Sequence, residues 1–123
     1  MVPKSFVLLF LVSSVLAVEP GFAGDVEIVG ATARENGGNW TISVTLRHAD
    51  TGWNHYADLW QIQTPEGYVL GERVLLHPHV DEQPFTRSLS GVEIPRDLEN
   101  VVIRARDSLH GFSLETYQLA LPR

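Results

Sequence analysis

The sequence predicts an all-β domain built as a two-layer sandwich, and two observations predict it. Apolar and polar residues alternate with a period of two, most clearly from Asn39 to His48. Turn residues interrupt that alternation about every eight to twelve positions, with no heptad and no long 3.6-residue period. Seven such segments, read as antiparallel strands, make the expected architecture an immunoglobulin-like seven-stranded β-sandwich.

The first strand is expected from Asp25 to Ala33, and Asn36-Gly37-Gly38 turns the chain. The second runs from Asn39 to His48. Trp40, Ile42, Val44 and Leu46 line its inner face, and His48 continues that face to its end. The third runs from His55 to Gln63, with Tyr56, Asp58, Trp60 and Ile62 on one face. Thr64-Pro65-Glu66-Gly67 has Pro and Gly placed as a β-turn requires. The fourth strand covers Tyr68 to Leu76, with Gly71 as the expected bulge. A loop from His77 to Pro84 leads to the fifth strand, Phe85 to Ile94. The sixth, Val101 to Asp107, turns Val101, Ile103 and Ala105 inward and Arg104 and Arg106 outward. The seventh runs from Phe112 to Leu121.

The N-terminal segment reads as an export signal. Lys4 precedes an apolar run from Phe6 to Leu16, and Ala17 or Ala23 offers the small residue that cleavage needs. Residues 1–23 are therefore expected to be removed, leaving residues 24–123 as one domain, periplasmic or secreted. The apolar run is too short to span a bilayer, so no membrane association is expected.

Composition excludes several functions. The chain has 9 basic and 15 acidic residues for a net charge of −6, and its only lysine, Lys4, lies in the expected leader. Such a balance does not neutralise phosphates, which excludes nucleic acid as a partner. There is no cysteine, which excludes disulfides, thiolate metal ligands, a thiol nucleophile and a lipid-modified cysteine. The one methionine is Met1, so sulfur ligands for copper are absent too.

Histidine placement carries the functional expectation. Strands joined by short connections alternate in direction. That rule puts His48, His55, His77, His79 and His110 at one end of the sandwich, together with Asp107. Imidazoles and a carboxylate gathered this way are what a nitrogen/oxygen site for a divalent metal ion, copper, zinc or iron, needs. Asp50, Asp58, Glu82 and Arg87 are the expected supporting partners that orient those ligands. Two other readings stay open: a metal-free site for a small ligand or protein partner through Trp53, His77, Phe85 and Arg87, and a purely structural polar network. A serine-hydrolase reading through Ser108, His110 and Asp107 fails, because those residues are too close in sequence for triad geometry.

Two segments resemble the iron-binding domain of the desulfoferrodoxin and neelaredoxin family, the superoxide reductases. His48-Ala49-Asp50-Thr51-Gly52-Trp53-Asn54-His55-Tyr56, followed by Trp60, resembles that family's first histidine motif. Arg106-Asp107-Ser108-Leu109-His110-Gly111-Phe112 resembles its late motif. The resemblance implies an immunoglobulin-like fold with His48, His55 and His110 as nitrogen ligands. The interval from His48 to His55 is one residue longer than in that family, and Asp107 stands at its axial cysteine. An altered redox enzyme of that type is the alternative to a metal-binding or metal-carrying module.

Overall fold

The computed structural model describes residues 25–123. The expected leader and both expected cleavage points lie outside the described residues. The described chain is all β: β1 Glu27–Asn36, β2 Asn39–Arg47, β3 Ala57–Gln63, β4 Val69–Val74, β5 Phe85–Val92, β6 Asn100–Asp107, β7 Gly111–Phe112 and β8 Tyr117–Ala120. Among the described residues, no helix is long and apolar enough to cross a membrane.

The strands form two antiparallel sheets. One has the order β1-β2-β5; the other has the order β4-β3-β6-β7, with β8 also paired to β6. The β1–β2 hairpin is closed by Gly37 and Gly38 at φ 58° and 104° between the paired residues Asn36 and Asn39. Positive φ at both central positions matches the right-handed twist of the flanking strands and is cheap only for glycine or asparagine. That turn carries β1 on to Asn36, beyond the expected end at Ala33.

Period-two patterning becomes the core directly. Trp40, Ile42, Val44 and Leu46 of β2 are buried, as are Trp60 and Ile62 of β3 and Val101, Ile103 and Ala105 of β6. Each large side chain so buried contributes roughly 1.5–3 kcal/mol through removal of apolar area from water. The outer face of β2 carries Thr41, Ser43 and Thr45. Ser43 and Thr45 meet Ser88 and Thr86 of β5 in hydroxyl pairs of 2.7 Å.

Other expectations require correction. The segment read as a seventh strand, Phe112 to Leu121, is two strands, β7 and β8. Between them Ser113 is buried, its amide bonded to the Ala105 carbonyl at 2.9 Å and its hydroxyl accepting the Val26 amide at 2.8 Å, so it ties the sheet to the start of β1. In β4 the unpaired extra residue is Leu70, because Gly71 pairs with Ile62 and Val69 with Gln63. Gly71 serves packing: a Cβ there would come within 3.0 Å of Leu89 on the opposite sheet. In β3 the register slips between Ala57 and Leu59, which releases Asp58 from the inner face. Asp58 turns outward to Arg106, which donates to both carboxylate oxygens at 3.0 and 2.9 Å.

Candidate metal centre

The core is capped at one end by polar side chains held out of water. His48, Asp50, His79 and Asp107 are 4%, 6%, 4% and 1% exposed. Burying such groups is costly unless they are partnered, so each contact there has to be accounted for.

His48 follows the last residue of β2 and keeps that strand's inward alternation. The chain then closes a tight loop. Asp50 donates its amide to the His48 carbonyl at 2.8 Å, and His55 donates to the Gly52 carbonyl at 3.1 Å. This loop returns His55 beside His48, ring against ring, with centroids 4.8 Å apart and planes at 87°. The third strand thus starts at Ala57, and the stretch from His55 to Tyr56 belongs to the loop rather than to the strand expected there.

Asp107 is the last residue of β6 and also points inward. Its Oδ1 accepts the backbone amides of Leu109 at 2.8 Å and His110 at 2.5 Å, which shapes the turn. Gly111, at φ 84°, then brings the chain back to pair with Asp107. Burial by itself would raise the carboxyl's pKa. The amides of His110 and Leu109 and the His110 ring outweigh it and hold the pKa below its ordinary value. The group is therefore a carboxylate at neutral pH.

With Oδ1 committed to the turn, Oδ2 faces three imidazoles. His48 Nε2 lies at 3.6 Å, His55 Nε2 at 3.8 Å and His110 Nδ1 at 3.3 Å. His55 Nε2 is buried and has no hydrogen-bond partner. His110 is half exposed and sits at the solvent side, its ring 5.0 Å from that of His55. One ligand atom each from His48, His55 and Asp107 lies within 4.8 Å of the other two, so this buried group could hold a metal ion. Bonds of about 2.1 Å in a tetrahedral set place neighbouring donors about 3.4 Å apart. His48 Nε2 and His55 Nε2, at 3.6 and 3.8 Å from Asp107 Oδ2, are near that separation and too far for hydrogen bonds to it, whereas His110 Nδ1 at 3.3 Å is hydrogen-bonded to the same oxygen.

His77 and His79 form a second group. Their rings are 4.6 Å apart, and His79 stacks on Phe85 at 3.9 Å. Arg87 donates to His79 Nε2 at 2.9 Å and also reaches Glu82 at 3.3 Å. Burial first, then the charge of Arg87 and the neighbouring His77, lowers the His79 pKa; Glu82 and Asp50 act in the opposite sense. A guanidinium on one nitrogen makes His79 a poor cation ligand.

Asp50 joins the two groups. Its Oδ1 accepts from His48 Nδ1 at 2.5 Å and from the Ala57 amide at 3.0 Å, and its Oδ2 accepts the His79 amide at 2.7 Å. Gln83 makes a parallel clamp, accepting the His48 amide and donating to the His79 carbonyl, both at 2.9 Å. Gln83 carries no signal in the sequence, since nothing local to a glutamine shows that it bridges two loops.

No protein-family model matches the chain, and no solved structure matches it. A protein of Halomicrobium mukohataei described as a "Putative lipoprotein" is 43% identical over 89 residues. Those residues are 72% of this chain and 43% of that protein, so the chain spans less than half the length of this relative.

Proposed function

We propose that this chain is an exported, immunoglobulin-like module that binds one divalent metal ion through His48, His55 and Asp107, with His110 at the mouth of the site. The carrying observation is the convergence of three imidazole nitrogens on one buried oxygen, Oδ2 of Asp107, at 3.3–3.8 Å. The ion-pairing partners of Asp50 and Asp107 among the described residues are histidines, while Arg87 and Arg106 pair with Glu82 and Asp58. Two buried carboxylates without a guanidinium call for another positive charge, and a divalent ion among neutral imidazoles supplies it.

The immunoglobulin-like reading is supported by strand order. β1, β2 and β5 share one sheet and β3 and β6 the other, and the connections after the second and sixth strands carry the site. Export is supported by the N-terminal pattern and by the description of the relative as a lipoprotein.

Elemental analysis and calorimetric titration of protein purified without a histidine tag test the reading. One ion per chain is expected, with copper(II) bound more tightly than zinc and both more tightly than iron(II). Absence of saturable binding for all three rejects it and leaves a metal-free ligand or partner site. A superoxide reductase-like role rests on the same four positions. It requires the bound metal to change valence when mixed with superoxide, which stopped-flow absorbance reads directly.

A further inference from the structure

Asp50 contributes no atom to the proposed metal group, yet its side chain is enclosed as fully as that of Asp107. Its side chain is 0% exposed. Three donors converge on it from three separate segments: a ring nitrogen at the end of β2, the first amide of β3, and an amide in the loop between β4 and β5. A carboxylate can only accept, so His48 Nδ1 must carry the proton in that contact. In the neutral ring the lone pair then sits on Nε2, the nitrogen that faces Asp107.

We infer that Asp50 is the positioning residue of the metal centre: it holds His48 as the Nδ1–H tautomer with Nε2 presented to the ion, and it couples occupancy of that site to the His77–Gln83 loop. The inference rests on the metal-binding reading above. Its physical basis is the effect of a carboxylate on a ligating imidazole. The contact fixes which nitrogen is available, fixes the ring's orientation, and raises the ring's basicity towards the cation. The coupling follows because the same carboxylate holds the His79 amide. When the ion draws electron density from His48, the Nδ1–H becomes a stronger donor and Asp50 is held more firmly. The Asp50–His79 link and the Gln83 clamp then restrain the loop. His79, Phe85 and Arg87 lie at the far end of that link, so occupancy of the ion reaches a second surface without direct contact.

The test uses the natural protein and Asp50→Asn. An asparagine of the same shape cannot satisfy all three donors. If its oxygen accepts from His48 and Ala57, its amide nitrogen faces the His79 N–H, donor against donor. If it is flipped, the clash moves to His48 and the Ala57 amide, which share the other oxygen. In the natural protein without metal, nitrogen-15 spectra should show His48 with a protonated Nδ1 and an unprotonated Nε2. Added zinc should slow exchange of the His79 amide hydrogen. In Asp50→Asn, zinc affinity should fall by about tenfold to a hundredfold. The zinc-dependent protection of His79 should be lost even when the site is saturated. A zinc affinity unchanged in Asp50→Asn, or a His48 in the natural protein that carries its proton on Nε2, overturns the assignment. The tautomer measurement on the natural protein stands if the variant does not fold. Natural protein that shows the expected tautomer but binds no zinc, copper or iron defeats the metal-binding reading and not the tautomer assignment.

Discussion

The two histidine groups at this end of the sandwich are built from the same residue type and differ in the charge that faces them. His48, His55 and His110 surround a carboxylate oxygen, and His55 keeps a buried nitrogen without a hydrogen-bond partner. His79 is covered on one side by Phe85 and accepts a hydrogen bond from Arg87 on Nε2, its Nδ1 being buried without a partner like the His55 nitrogen. An imidazole whose ring nitrogen lies beside a buried carboxylate oxygen, with no guanidinium on it, can ligate a cation. An imidazole already accepting from an arginine acts as a hydrogen-bonded wall. The neighbour's charge, more than the histidine, decides the chemistry.

The sharpest way to break this comparison is to remove each group in turn. His48→Ala/His55→Ala should abolish copper and zinc binding, a loss of more than about a hundredfold, because the remaining donors are one carboxylate and one half-exposed ring. His77→Ala/His79→Ala should keep affinity within about tenfold, since it removes neither of the central histidines. Calorimetry on both, with circular dichroism to confirm folding, reads the difference. Equal losses would show that the two groups form one site.

A second test uses pH on metal-free protein. The His79 pKa is lowered in the folded state by burial and by Arg87, from an ordinary value of 6.5. The unfolded chain therefore takes up a proton near pH 6.5 that the folded one refuses until lower pH. Stability from this residue is present above pH 6.5 and is lost as pH falls through that value. His79→Gln should flatten the dependence of urea midpoint on pH between about 6.5 and 5, and Arg87→Leu should weaken it. An unchanged profile in His79→Gln would remove His79 from the account.

The smallest effect is expected at Asp58, which faces Arg106 rather than either histidine group. Asp58→Asn should lower stability by about 1 kcal/mol or less, as a partly exposed ion pair does, and leave metal affinity unchanged. A drop in affinity would return Asp58 to the site.

Much of this arrangement was legible in the chain. The alternation from Trp40 to Leu46 and from Val101 to Ala105 is what a strand with one buried face must show, because side chains point to opposite sides at successive positions. His48 and Asp107 extend those alternations by one more step, and both are buried where the period puts them. The histidines' common end followed from strand direction and short loops. Asp58 was misplaced because a one-residue register slip reverses the face, and a slip leaves no mark in the pattern of residue types. The division of the last strand was invisible for a similar reason: Ser113 leaves its neighbours to cap a segment 87 positions away.

The sequence by itself determined the all-β class, the two inward faces and the residue types at the capped end, because these depend on local periodicity and turn chemistry. Only the tertiary structure decided which histidines share an oxygen and which shares a guanidinium. It also decided that Asp50 holds three segments at once. Those outcomes depend on angles and distances of a few ångströms between residues far apart in the chain. Hydrogen bonds and coordination geometry are sensitive at that scale, and composition and spacing carry no record of it.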